Sequence, residues 1–138
     1  MTTPKAKLAG LALIAALCGG FTLGLTAPAG AGIGWDEAEA EAAYDASDYA
    51  TAVRKWRALA KQGNAKAQNN LGGMYGNGQG VTQDYVQAHM WYNLAVSKSP
   101  PGKDRNKAVK NRNAVAKVMT PAQISEAQKL AREWKAKK

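Results

Sequence analysis

A chain of 138 residues with one cysteine and one histidine has no material for a disulfide framework or a Cys/His zinc cluster. Once its leader is removed, its length bounds the fold to one small domain with a modest core. A formal net charge of +9 turns the molecule towards anionic partners.

Residues 1–31 read as a secretory signal peptide rather than as part of the fold. Lys5 and Lys7 make a basic start, Leu8 to Leu25 is apolar, and Ala27-Pro28-Ala29 and Ala29-Gly30-Ala31 are both small-x-small cleavage sites. An uncleaved anchor is the competing reading, weakened by Gly10, Gly19, Gly20 and Gly24 within the apolar run. Cys18 follows Leu17, where a lipoprotein signal wants a small residue, so lipidation is disfavoured. Cleavage leaves residues 32–138, free of cysteine and bound for the cell envelope or beyond. For an exported protein, nucleic acid is a poor partner.

A first helix is expected over Trp35 to Asp45. Asp36, Glu37, Glu39 and Glu41 crowd its first turns, where the helix dipole favours negative charge, and Ala38, Ala42 and Ala43 form its small apolar face. Ser47 or Asp48 then caps a second helix reaching Gln62. Tyr49, Ala52, Val53, Trp56, Leu59 and Ala60 share one side of it at spacings of three and four; Arg54, Lys55, Arg57 and Lys61 take the other. Gly63 stops this helix and Asn64 caps a third, Ala65 to Tyr75.

The loop Gly76-Asn77-Gly78-Gln79-Gly80 follows, its glycines permitting a sharp turn. It lacks the Lys-Ser or Lys-Thr of a nucleotide-binding loop and no strand precedes it, so a structural turn is expected rather than a phosphate cradle. Asp84 caps a fourth helix running to Lys98, and Ser99-Pro100-Pro101-Gly102 breaks the pattern. Lys103 to Met119 resumes as a basic helix with Ala108, Val115 and Met119 on one face. Thr120-Pro121-Ala122-Gln123 is a capping box that opens a last helix, with Ile124, Ala127, Leu130, Ala131 and Trp134 on one stripe.

These elements make an all-α chain, and part of it repeats. At an offset of 36, Asp48-Tyr49 matches Asp84-Tyr85, Ala52 matches Ala88, Trp56 matches Tyr92 and Leu59 matches Ala95. A period of that size marks stacked helix pairs. Residues 63–98 form the complete unit, 36–62 a partial one and 103–135 a closing pair. Gly72 and Ala88 are small enough to bring two helix axes close, with Tyr75, Tyr85, Trp91 and Tyr92 filling the remaining core.

The spacing Ala67-Gln68, Leu71-Gly72, Met74-Tyr75, Gly78, Gly80-Val81, Asp84-Tyr85, Ala88, Trp91-Tyr92, Ala95 resembles the Sel-one-like repeat, a relative of the tetratricopeptide repeat. The tail from Met119 to Trp134 is similar to the closing segment of bacterial proteins of that family. The resemblance covers about Tyr44 to Trp134 and is most specific over Ala65 to Ala95. It implies a short right-handed α-solenoid of two to three antiparallel helix pairs that works as an adaptor, without cofactor or catalysis. Some secreted relatives are stapled by disulfides; this chain departs from them, and their activities do not carry over.

The missing chemistry agrees. His89 stands alone, with Tyr85 and Asn93 four positions away, and reads as surface or packing. Glu37 and Glu41 share a face, but no third ligand completes a metal site, so a solvated acidic face is expected. No serine sits in a nucleophile elbow, which leaves an enzyme as the remote alternative.

In stacked pairs the first helix of each unit lines the concave side. A partner protein or peptide is therefore expected to meet Lys66, Asn69, Asn70 and Gly73, with Lys107, Lys110 and Arg112 of the basic helix favouring an acidic segment. Charge supports a second reading. Gly32 to Asp48 holds six acidic residues and no basic one, whereas Ser99 to Lys138 holds eleven Lys or Arg against Asp104, Glu126 and Glu133. That basic half could instead bind anionic lipid head groups or cell-wall polymer at the envelope surface, or simply be a solubilising face.

Overall fold

The computed structural model describes residues 32–134, so the Leu8 to Leu25 segment and its cleavage sites lie outside the described residues. Six helices and no strand occur among them: α1 (Gly32–Asp45), α2 (Tyr49–Lys61), α3 (Ala65–Asn77), α4 (Tyr85–Lys98), α5 (Lys103–Ala116) and α6 (Pro121–Glu133). This is the architecture of a short α-solenoid.

Side-chain caps set the helix starts. Asp48, Asn64, Asp84 and Thr120 each accept a hydrogen bond from the backbone N–H three residues on, at 2.9 to 3.2 Å. At α6 the Gln123 side chain also accepts from the Thr120 N–H, closing the capping box. Asp48, not Ser47, caps α2; Ser47 sits in the α1–α2 turn with φ 61°. The bond from the Thr51 hydroxyl, then that from its backbone N–H, holds the Asp48 carboxyl below its usual range.

Three boundaries differ from the sequence expectation. α1 starts three residues before Trp35. α3 runs through Gly76 to Asn77, because the left-handed residue that ends it is Gly78. α5 ends at Ala116, and Met119 lies buried in the turn that follows.

α2, α3 and α4 hold the centre of the core. Trp56, Leu59, Leu71 and Met74 are almost wholly buried, with Met90, Trp91 and Leu94 around them. Gln68 is buried too, and its Nε2 donates to the Ala60 carbonyl at 3.1 Å, tying α3 to α2. α4 is the hub, packing on α3, α5 and α6; α5 and α6 are seated on α4 rather than on one another. The Trp134 ring meets that of Trp91 edge-on, with centroids 5.9 Å apart.

α3 and α4 come close at Gly72. A Cβ there would stand 2.9 Å from the Tyr92 ring and 3.2 Å from the Ala88 carbonyl oxygen, so only glycine lets α3 and α4 meet. Gly80 (φ 69°) is tighter still, since its Cβ would stand 2.5 Å from the Tyr49 carbonyl oxygen. The α3–α4 loop thus rests directly on the start of α2.

α1 is an edge helix whose packing is with α2, so it buries only a narrow strip. That strip is Ala40, with Ala43 half-buried; the expected Ala38 and Ala42 are exposed. Polar contacts do the rest. Glu39 pairs with Lys55 of α2, Glu41 with Lys66 of α3, and Glu37 accepts from the Asn64 side chain. The acidic face of α1, expected to be merely solvated, fastens it to the next two helices.

The 36-residue echo is structural. Asp48 and Asp84 are equivalent caps, Ala52 and Ala88 are both fully buried, and Trp56 and Tyr92 occupy matching buried positions on α2 and α4. Leu59 and Ala95 are likewise both buried.

Candidate binding groove

First helices of the three pairs line one open groove of about 490 Å³. Glu41, Tyr44 and Asp45 come from α1; Asn69, Asn70, Gly73, Met74 and Asn77 from α3; Lys107 and Asn111 from α5. Trp56 and Tyr92, the matched aromatics of α2 and α4, reach its floor, and Gln79 of the loop closes one end.

Each lining residue is placed by the local fold. The apolar stripe Ala67, Leu71 and Met74 of α3 is buried, which turns Asn69, Asn70 and Gly73 to the half-buried flank. Gly73 leaves space, for a Cβ there would meet only the Tyr92 hydroxyl, at an ordinary 3.5 Å. The Asn111 Nδ2 donates to Asn69 Oδ1 at 3.2 Å, which couples α5 to α3 across the groove. The Tyr44 hydroxyl donates to Gln79 Oε1 at 3.2 Å and ties α1 to the loop. Burial raises the pKa of Tyr92, keeping its phenol a neutral donor and acceptor.

Of the residues expected from sequence, Asn69, Asn70, Gly73 and Lys107 line this groove. Lys66 stands at its edge, engaged by Glu41; that bond raises the Lys66 pKa, against the smaller effect of desolvation. Lys110 lies apart, in a second surface hollow with Asn106, Val109, Asn113, Ala114 and Lys117. Arg112 is held elsewhere, donating to Asn93 Oδ1 at 3.1 Å and to Asn113 Oδ1. The basic helix therefore splits its charges between two faces.

Sequence reasoning missed the α1 wall (Glu41, Tyr44 and Asp45), and also Asn77 and Asn111. Asn111 sits four residues after Lys107 on one helix face, a signal that could have found it.

The groove offers carboxamides, two phenols, one ammonium and two carboxylates, of which Glu41 is already paired. No group of three or more His, Cys, Asp or Glu among the described residues could hold a metal. His89 lies buried in α4 and does not line the groove. Arg112 fixes the Asn93 amide so that its Nδ2 faces His89 Nδ1 at 3.3 Å. Nδ1 then accepts, and the ring is the neutral Nε2–H tautomer. Burial first, and the Arg112 cation second, push the His89 pKa below its ordinary value. No helix among the described residues is long and apolar enough to cross a membrane.

Residues 65–100 match the family model of the Sel1 repeat. That span starts with α3, passes through the glycine loop and α4, and ends at Pro100, so it is the unit that carries most of the groove floor. No curated protein matches the chain.

Proposed function

We propose that this chain, which carries a Sel1 repeat, is a non-catalytic adaptor of the cell envelope that holds a partner protein or peptide in the α1–α3–α5 groove. Sel1 repeats are generally protein–protein interaction modules, and proteins built from them are typically non-catalytic. The observation that carries the reading to a site is the row Asn69, Asn70 and Asn77 along the groove floor. Carboxamides donate and accept at once, which suits a peptide backbone. A groove shared by only three first helices is short, so micromolar affinity is expected, about −8 kcal/mol.

Gly73→Trp tests the groove. A Cβ at Gly73 makes only an ordinary 3.5 Å contact with the Tyr92 hydroxyl, so the helical circular dichroism should be unchanged while the groove is filled. Linear peptides selected from a random phage library on the parent chain should lose binding to this variant. Selected peptides that bind both proteins equally well would place the binding surface elsewhere.

Export to the envelope rests on the basic start, apolar run and cleavage sites of residues 1–31. N-terminal sequencing of the exported protein should begin at Gly30 or Gly32. A membrane-bound product that keeps Met1 would make the segment an anchor.

A further inference from the structure

We infer that the groove selects an extended segment carrying a cationic and an anionic side chain next to one another, rather than the uniformly acidic partner that the net charge favours. This rests on the groove being the partner site.

The two walls differ in sign. α1 contributes Glu41 and Asp45, and α5 contributes Lys107. Glu41 is engaged by Lys66, whereas neither Asp45 nor Lys107 is in an ion pair among the described residues. The free charges facing the groove are therefore one carboxylate and one ammonium, on different walls. Beyond the lining, the remaining charges do not alter this: Glu39 is paired with Lys55 and Glu37 accepts from Asn64, while Lys110 and Arg112 turn to other contacts.

The floor sets how a ligand lies between them. Asn77 is eight positions beyond Asn69 on α3, about 12 Å at the helical rise, which matches about four residues of extended chain. If the floor carboxamides take the backbone N–H and C=O groups, the ligand's side chains point sideways. In an extended chain successive side chains go to opposite sides. One residue then faces the α1 wall and its neighbour faces the α5 wall. Asp45 calls for Lys or Arg at the first, and Lys107 for Asp or Glu at the second. Tyr44, beside Asp45 on the α1 wall, adds an aromatic face for the cation. A uniformly acidic segment would satisfy Lys107 and set its other carboxylates against Asp45.

The test is fluorescence anisotropy of the full chain at low salt with three labelled octapeptides: alternating Lys-Glu, alternating Glu-Ser and alternating Lys-Ser. The Lys-Glu peptide should bind about fivefold more tightly than either other, the worth of one partly exposed ion pair. Lys107→Glu makes both walls acidic and should transfer the preference to Lys-Ser. Asp45→Lys makes both walls basic and should transfer it to Glu-Ser. Both positions are exposed, so each variant should keep the helical circular dichroism of the parent. A parent that prefers Glu-Ser or Lys-Ser, or a preference that neither reversal moves, overturns the inference and leaves the groove as the partner site. Binding that survives Gly73→Trp, or no binding by any of the three peptides, overturns both.

Discussion

Gly78 and Gly80 stand two residues apart in one loop, both with positive φ, yet they answer to different constraints. Gly78 ends α3, and a Cβ there meets Gln83 Cβ at a tight 3.3 Å, which a shift of a few tenths of an ångström relieves. Gly78→Ala should cost mainly the left-handed penalty, about 1–2 kcal/mol. Gly80 carries the same penalty and faces the Tyr49 backbone, which cannot yield, so Gly80→Ala should cost about 1–3 kcal/mol more. Urea melts of the two variants check the order; equal midpoints would mean that the loop does not rest on α2. His89 offers a test in pH. Its folded pKa is lowered, so above the unfolded value of about 6.5 both states are neutral and nothing is lost. As pH falls below that value the unfolded chain takes up a proton that the folded chain refuses, and stability declines until the folded pKa is passed. The urea midpoint of the parent should therefore drop between pH 7.5 and 5.5, and that of His89→Gln should drop less. Gln can still accept from Asn93, whereas His89→Ala would open a cavity and confuse the readout. The need for glycine in this loop was legible from the glycines at 76, 78 and 80. Which glycine touches another helix was not, because Tyr49 lies 31 residues away in sequence.

At the scale of elements, α4 decides the fold. It is the helix that α3, α5 and α6 all meet, and its contact with α3 depends on the bare backbone of Gly72. Gly72→Leu would drive a side chain into the Tyr92 ring and the Ala88 carbonyl, overpacking at about 1–3 kcal/mol. Because Tyr92 also reaches the groove floor, the same variant should weaken peptide capture. Denaturant melts that match the parent would show that α3 and α4 can separate without loss. Most elements could be read from the chain. Asp84, Asn64 and the Thr120 box mark their helix starts by local hydrogen bonding, and that chemistry needs no tertiary context. α1 was read less well. Its alanines at 38, 40, 42 and 43 offer several small faces, and only docking on α2 selects Ala40 and Ala43. The end of α5 was placed three residues late for a related reason, since Met119 keeps the helical spacing but is buried from a turn.

For the whole molecule, the groove follows from stacking: three first helices stand side by side, and whatever polar residues they turn away from the core become its lining. That rule made Asn69, Asn70 and Gly73 legible. It could not reveal Asp45 or Tyr44, whose placement depends on how α1 docks. Nor could it show that Lys110 and Arg112 turn to other contacts while Lys107 faces the groove. The same stacking bears on cooperativity. Solenoids unfold as sums of repeats and interfaces, and a chain with one complete repeat has few interfaces to spare. α3 packs on α2, α4 and α5, and α4 holds α5 and α6, so loss of the α3–α4 contact leaves no part with a core of its own. Trp35→Phe removes the one tryptophan of α1, so that in this background Trp56, Trp91 and Trp134 report from α2, α4 and the end of α6, whereas circular dichroism reports all the helices together. The two urea transitions should coincide in Trp35→Phe, and adding Gly72→Leu should move them together. α1 is the exception, fastened by ion pairs that are each worth at most about 1 kcal/mol and are screened by salt. In molar salt the circular dichroism transition of Trp35→Phe should acquire an early shoulder as α1 frays, with its fluorescence transition unmoved. A shoulder in fluorescence at the same urea concentration would instead mean that the core divides, and that α2 leaves with α1.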